Sequence, residues 1–441
     1  MHLTEILLDA LAQGKVSPEF VVDILTEHAA RTCEACTAAQ QAHEDREPKA
    51  GRHGGSSAET RDPLARLRRR MGWDQGQLEK QLKAARRDLR DLLKLPPERR
   101  CGTIQGAYSR FHGPLFGRLL LDEARRKIPP EPAASLALAE AALLSAKETR
   151  RSPSEPEVHA AALAVRGNAK RALGRIVDGE TDLEEAERLL FTPAVRDPVL
   201  PAEVHSYLGS LRKDQGRLDV AARHLHRAGT LYGVLNEPER GARILMTLSL
   251  VHFVAHDFDA AVPAAEEAVG LLAPESEAWL RAYAHYNLAH HLHARGEVER
   301  AEAELAAHQE LLAAAGDEVV QHVVWLRARI AWSRGQVGAA ERLYREARRR
   351  ALERGIPFDA GLVALELALV HLAQGRTPRV KKLAFEALRV FAEQKVDREI
   401  GAALDLLEAA ARRDALTREL LERAIAALER VRHTRPQSGQ A

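Results

Sequence analysis

The stretch Gly335-Gln336-Val337-Gly338-Ala339-Ala340-Glu341-Arg342-Leu343-Tyr344-Arg345-Glu346-Ala347 decides the fold, because its landmarks recur over half of the chain. A glycine is followed five residues later by one small side chain and twelve residues later by another. The turn position is held in turn by Gly174, Gly216, His256, Gly296, Gly335 and Gly375, at steps of 42, 40, 40, 39 and 40 residues. Five residues on stand Gly179, Ala221, Ala261, Ala301, Ala340 and Val380, and twelve on stand Ala186, Ala228, Ala268, His308, Ala347 and Ala387. Glycine ends a helix because it enters the left-handed cap conformation without steric cost. Small residues on the following helix let two backbones approach closely. A regular period of this kind, from about Ala160 to Gln394, predicts an array of helical hairpins.

The unit resembles the tetratricopeptide repeat. That resemblance implies an all-α fold, a right-handed α-solenoid of helical hairpins in which each unit packs against its neighbours. The period is about six residues longer than the family's usual ~34, which predicts a longer second helix or a longer connection. The family's proline after the second helix survives as Pro193 and Pro274.

Composition agrees. Hydrophobic residues make up 45% of the 441 residues and aromatics only 4%, so alanine and leucine must supply the burial. A net charge of +2 lacks the basic excess of a dedicated nucleic-acid binder. Three cysteines do not make a disulfide framework and suit a reducing compartment. The start, Met1 to Glu5, lacks the basic region of a signal peptide. The most apolar window, Gly361 to Ala373, carries Glu366 and His371 and is shorter than the ~18 apolar residues of a membrane span. A cytoplasmic location without membrane contact is expected.

The first 43 residues read as a separate helical module. Leu3 to Gln13 forms one helix, and Ser17-Pro18-Glu19 opens a second that leads to His28. Cys33 and Cys36 then place two thiols on one turn, able to grip a tetrahedral ion, with His28 close by and His2 at a distance. The set His2, His28, Cys33 and Cys36 resembles the zinc-binding domain of bacterial anti-sigma factors, which implies bound zinc and a sigma factor as partner. Four residues rather than three separate His28 from Cys33, so the helix must break near Arg31-Thr32 for these ligands to converge. Two reduced cysteines in a plain hairpin, or a thiol switch, fit the same residues, and His43 is a substitute ligand.

Residues 44–62, rich in Glu, Asp, Arg, Gly and Ser, read as a flexible linker. Residues 63–130 read as irregular helices at the solenoid's start, with Asp74 capping a helix to Leu95 and Cys101 in a loop. The repeat array occupies 131–398, capping helices 399–435 and a tail 436–441. The basic run Arg66, Arg68, Arg69 and Arg70 reads as a solvated helix face, since Glu79, Asp88 and Asp91 soon offset it and Trp73 is the one nearby aromatic.

In the tetratricopeptide register, positions two, five, nine and twelve of the first helix line a concave groove. Carried over, these are Arg243, Met246, Leu250 and Phe253 in the third unit, then Tyr283, Tyr286, His290 and His293, then His322, Trp325, Arg329 and Trp332, and then Leu362, Leu365, Leu369 and Leu372. Four of the chain's ten Tyr and Trp side chains therefore converge on two adjacent units. Aromatics and arginine dominate interface hot spots, so a groove for a protein or peptide is expected. A one-position error of register would instead make these residues helix-to-helix packing. The leucine row of the sixth unit suggests a groove narrowed or covered by the final helices.

The histidines His285, His290, His291 and His293 do not read as a metal site, because no carboxylate or thiol accompanies them at ligand spacing. No nucleophile elbow, zinc-protease helix or calcium loop occurs. Gly174 to Gly179 has phosphate-loop glycine spacing, yet Glu180 stands where the lysine belongs. The expectation is a non-enzymatic protein-interaction adaptor. A plain scaffold and a peptide-signal sensor are the alternatives.

Overall fold

A computed structural model of the chain describes residues 71–106, 110–112, 114–128, 131–148, 155–190, 192, 195, 197–392, 398–412 and 415–434, with isolated positions at 7, 10, 16, 64, 67 and 68. His2, His28, Cys33, Cys36 and the 44–62 linker lie outside these residues. The described residues hold nineteen helices and no strand. The chain divides into two compact units, 1–241 and 242–435.

The fold is an all-α solenoid of tetratricopeptide-like hairpins. Unit 1 contains α1 (Gln75–Leu93), α2 (Pro97–Gly106), α3 (Pro114–Lys127), α4 (Pro132–Glu148), α5 (Glu155–Ala172), α6 (Ile176–Leu190), α7 (Leu200–Asp214) and α8 (Leu218–Leu235). The division falls within α9 (Pro238–Val254). Unit 2 continues with α10 (Phe258–Gly270), α11 (Ala278–Ala294), α12 (Val298–Ala307), α13 (Gln309–Ala314), α14 (Asp317–Ser333) and α15 (Val337–Glu353). It closes with α16 (Pro357–Ala373), α17 (Thr377–Ala392), α18 (Arg398–Arg412) and α19 (Arg418–Thr434).

The turns follow the sequence reading position by position. Gly174, Gly216, His256, Gly296, Gly335 and Gly375 all have positive φ, between 59° and 90°. Each sits in a paired hydrogen-bond turn. The Gly335 N–H donates to the Trp332 carbonyl and the Gln336 N–H to the Ala331 carbonyl, both at 2.9 Å, and the other five repeat this pattern. The small residues five positions later are all buried. Gly167 and Gly179 show how close the helices come: a Cβ built on Gly167 would lie 2.9 Å from the Gly179 carbonyl oxygen, and one on Gly179 would lie 2.8 Å from that of Gly167.

The longer period has a direct cause. Helices α14 and α15 have 17 residues each, and two three-residue connections, 334–336 and 354–356, complete a unit of forty. Both helices are extended, not the second alone.

Some local expectations change. Asp74 caps α1 as a full capping box: its Oδ1 accepts from the Gln77 N–H at 2.7 Å, while Gln77 Oε1 accepts from the Asp74 N–H at 2.9 Å. Cys101, expected in a loop, lies within α2, where burial pushes its thiol pKa up. Phe111 precedes α3 and packs its ring 5.2 Å from that of Phe116.

His256 is the one turn residue with a side chain to place in the left-handed region, which costs an L-residue ~1–2 kcal/mol. His256→Gly should therefore raise unfolding free energy by about 1 kcal/mol, and Gly335→Ala should lower it by a similar amount. Urea denaturation midpoints check both, and a less stable His256→Gly chain would contradict the turn assignment.

Candidate peptide-binding groove

The first helices of the hairpins in unit 2 are α9, α11, α14 and α16, and along them the groove residues expected from sequence come together. Phe253, on α9, lies 4.6 Å from His290, on α11, between ring centroids. Tyr286 stacks on His290 at 5.8 Å and on His322, from α14, at 5.7 Å. The Arg329 guanidinium lies 4.8 Å over the Trp325 ring, and its Nη1 donates to His290 Nε2 at 3.3 Å. Six of the expected residues thus make one continuous cluster.

Five others sit around it. His293 and Trp332 line a cavity beside the cluster, and Met246 is half-buried. Arg243 and Tyr283 belong to an outer group with Trp279. The Arg243 guanidinium covers the exposed Trp279 ring at 4.7 Å and pairs with Glu277 at 2.9 Å, while the Tyr283 hydroxyl donates to Glu318 at 2.5 Å. The leucine row of α16 is largely enclosed, with Leu362 and Leu365 fully buried.

The central cluster is buried, and α19 is what covers it. Arg432 donates from Nε to Asp359 Oδ1 at 2.9 Å and from Nη2 to His322 Nε2 at 2.8 Å, and its guanidinium lies 4.7 Å over the Trp325 ring. One turn earlier Glu429 pairs with Arg329, and at the helix end His433 sets its edge 5.5 Å from Phe253. Positions 429 and 432 share a helix face. The last helix therefore turns one Glu and one Arg inward. Leu421, Ala424 and Leu428 hold it there, each almost completely buried.

Buried charge is tolerable here because it is paired. Glu366 accepts from Trp325 Nε1 at 2.6 Å and from Arg329 Nε at 3.0 Å. Burial works against the charge on Arg329, but Glu366 and Glu429 outweigh it and keep the guanidinium cationic. Burial likewise pushes Asp359 up, yet Arg432 and His322 hold its carboxyl well below the usual range. Glu366 is raised, by burial first, against the pull of Arg329.

A cavity of about 350 Å³ remains between α9, α11, α14, α16 and α19. Phe253, Trp332 and Tyr344 give it apolar walls, and His290, His293, Arg329, Glu366 and Glu429 give it polar points. Apolar walls with convergent polar groups are the usual make-up of a ligand site. Unit 1 has a cavity of about 470 Å³ of different character, dominated by ion pairs such as Arg118–Glu157 at 2.6 Å and the two-pronged contact of Arg125 with Glu203. Among the described residues, two sets of three metal-ligand side chains come together, Glu187 with His205 and His224, and His285 with Glu304 and His308. No described helix is long and apolar enough to cross a membrane.

No known family model matches the chain, and no curated protein does. Its backbone is similar to that of the Rap protein. The crystal structure of Rap protein complexed with competence and sporulation factor aligns with 73% of this chain and 88% of its own, with a TM-score of 0.57 and 13% identity. At that identity the likeness shows the fold, a helical-repeat solenoid. BtubC (BKLC) from P. vanneervenii aligns over 64% of this chain and 93% of its own at 16% identity, with a TM-score of 0.32.

Sequence reasoning overlooked Asp359, Glu429 and Arg432, which bond to the residues expected from sequence or to one another. Glu366 did leave a signal, a lone carboxylate in the apolar run Gly361 to Ala373, and a charge so placed must find a partner.

The histidines make this region acid-sensitive. Burial lowers the pKa of His291 to about 3 and of His293 to about 4, from 6.5, and lowers His290 as well. The unfolded chain takes up protons that the folded chain refuses, so stability is full above about pH 6.5 and drains away as pH falls toward 4. The melting temperature should drop by several degrees between pH 7.5 and pH 5, and His291→Gln should flatten that dependence. A flat profile in the parent chain would show that these imidazoles are hydrated.

Proposed function

We propose that the protein is a non-enzymatic adaptor that holds a peptide or an extended protein segment in the groove of unit 2, with ligand side chains entering the cavity walled by α19. The observation that carries this reading is the convergence of Trp332, Phe253, Arg329 and four histidines, His256, His290, His293 and His433, on one cavity of about 350 Å³. Such a cavity takes one or two side chains, which suits anchor residues of a peptide. The fold likeness supports it, since Rap protein was solved with competence and sporulation factor bound. Three charged groups of the cavity are bonded to one another, Arg329 to Glu366 and Glu429, an arrangement that fixes charge for recognition.

Trp325 and Tyr286 are buried in the network, so their removal would disturb the fold along with the groove. Trp332 and His293 are half-buried and reach the cavity. Trp332→Ala with His293→Ala should weaken binding of a peptide selected on the full chain by at least tenfold, about 1.4 kcal/mol, while Leu352→Ala at an exposed site should leave it unchanged. Equal affinity in both variants would place the ligand elsewhere.

The finer part of the proposal stands on sequence pattern. His2, His28, Cys33 and Cys36 hold zinc, and residues 1–43 contact a sigma factor, which makes the adaptor a transcriptional regulator. Cys33→Ser with Cys36→Ser should remove one equivalent of zinc from the purified full chain, and deletion of residues 1–43 should abolish sigma-factor capture. Unchanged zinc content in the first case, or undiminished capture in the second, would refute the corresponding step.

A further inference from the structure

The array breaks its own rule at one residue. Five of the six positions twelve residues after the turn are alanines with at most 1% of their surface exposed, whereas the fourth unit carries His308, which is half-buried. The second helix of that unit stops there. Helix α12 ends at Ala307 and α13 begins at Gln309, with His308 at φ −113° and ψ 22° between them. Helix breaks have identifiable local causes, and here the break comes with a change from the smallest packing residue to one that ligates metals.

The residues around His308 explain what the change could serve. The imidazole rings of His308 and His285, which projects from α11, stack with centroids 3.5 Å apart and planes 19° apart. Glu304, one turn before His308, places Oε1 2.6 Å from His285 Nδ1 and 3.4 Å from His308 Nδ1. Two imidazole nitrogens thus face one carboxylate oxygen. A tetrahedral ion bound at ~2.0–2.1 Å holds its donor atoms about 3.3 Å apart, and the two distances bracket that value. The three side chains keep 14%, 19% and 31% of their surface exposed, so an ion can reach them from solvent.

We propose that His285, Glu304 and His308 form a zinc site with one coordination position left open, pinning α11 to the break between α12 and α13. Imidazole and carboxylate donors suit zinc. Ligation through Nδ1 requires His308 to leave the Glu304 carbonyl, now 3.1 Å away, and both rings to carry their hydrogen on Nε2. The site is independent of the groove reading and of the cysteine pair near the N-terminus. Sequence spacing hid it, because the carboxylate that His285 needs comes from across the hairpin and not from its own helix.

The second cluster, Glu187 with His205 and His224, lies two repeat steps earlier and does not offer the same chemistry. His205 Nδ1 and His224 Nδ1 are 3.1 Å apart. Burial, and then Arg227, Arg212, Arg223 and Arg217, hold His224 down at about 4. Four guanidinium groups that repel a proton also repel a divalent cation.

The test uses the full chain carrying Cys33→Ser and Cys36→Ser, stripped of metal, so that any zinc bound is not held by those thiols. Calorimetric titration should find one equivalent of zinc at micromolar affinity, and Co²⁺ should give the intense visible absorption of a four-coordinate ion. His308→Ala and His285→Gln should each weaken binding by about 100-fold or more. Alanine is what the five other units carry at this position, so the His308→Ala chain should melt no lower than its parent without metal, and should lose the rise in melting temperature that zinc gives the parent. Zinc binding no tighter than about 1 mM, or equal binding by the parent and both variants, would overturn the site.

Discussion

Two helices can lie against each other over several turns only where neither has a side chain in the way, and this requirement organises the protein. The buried residues at Gly179, Ala221, Ala261, Ala301, Ala340 and Val380 lie near the start of each second helix, just where it leaves the turn. The turn itself depends on a residue able to enter the left-handed region. Together they fix the angle at which each hairpin folds back. Forty residues per unit, against the ~34 of the usual repeat, then follow from helices about a turn longer, as in α14 and α15.

What fills that groove is set by charge. The face built by α9, α11, α14 and α16 carries Arg329, Glu366 and Asp359 in a buried setting, where an unpaired charge would cost several kcal/mol. Helix α19 supplies complements, Glu429 for Arg329 and Arg432 for Asp359, one turn apart on one face. A purely apolar capping helix could have covered the leucines of α16 but not these groups. The closing helix therefore forms one wall of the cavity. Its position explains why the aromatic residues are buried and still line open space at the Phe253, His293 and Trp332 end.

The two metal-ligand clusters follow the same repeat logic with different outcomes. His205 and His285 occupy corresponding places on first helices, and His224 and Glu304 corresponding places on second helices. A change from histidine to glutamate at one corresponding position, together with the arginines around His224, separates a paired set of imidazoles from a set able to take a cation. Small sequence changes on a repeated frame are how one array acquires distinct local chemistry.

Glycine and alanine at fixed spacing determined the all-helical class, the hairpin unit and its turn residues, because left-handed caps and close helix contacts are local demands that few residue types meet. The same register brought Phe253, Tyr286, His290, His322, Trp325 and Arg329 onto one face, since position along a helix fixes direction. Tertiary structure alone decided the rest. That Arg432 meets Asp359 across 73 residues, and Glu429 meets Arg329 across 100, depends on where a helix docks, and charge spacing along the chain carries no record of that. The meeting of His285 with Glu304 and His308 is of the same kind, for a hairpin joins residues that no single helical period relates.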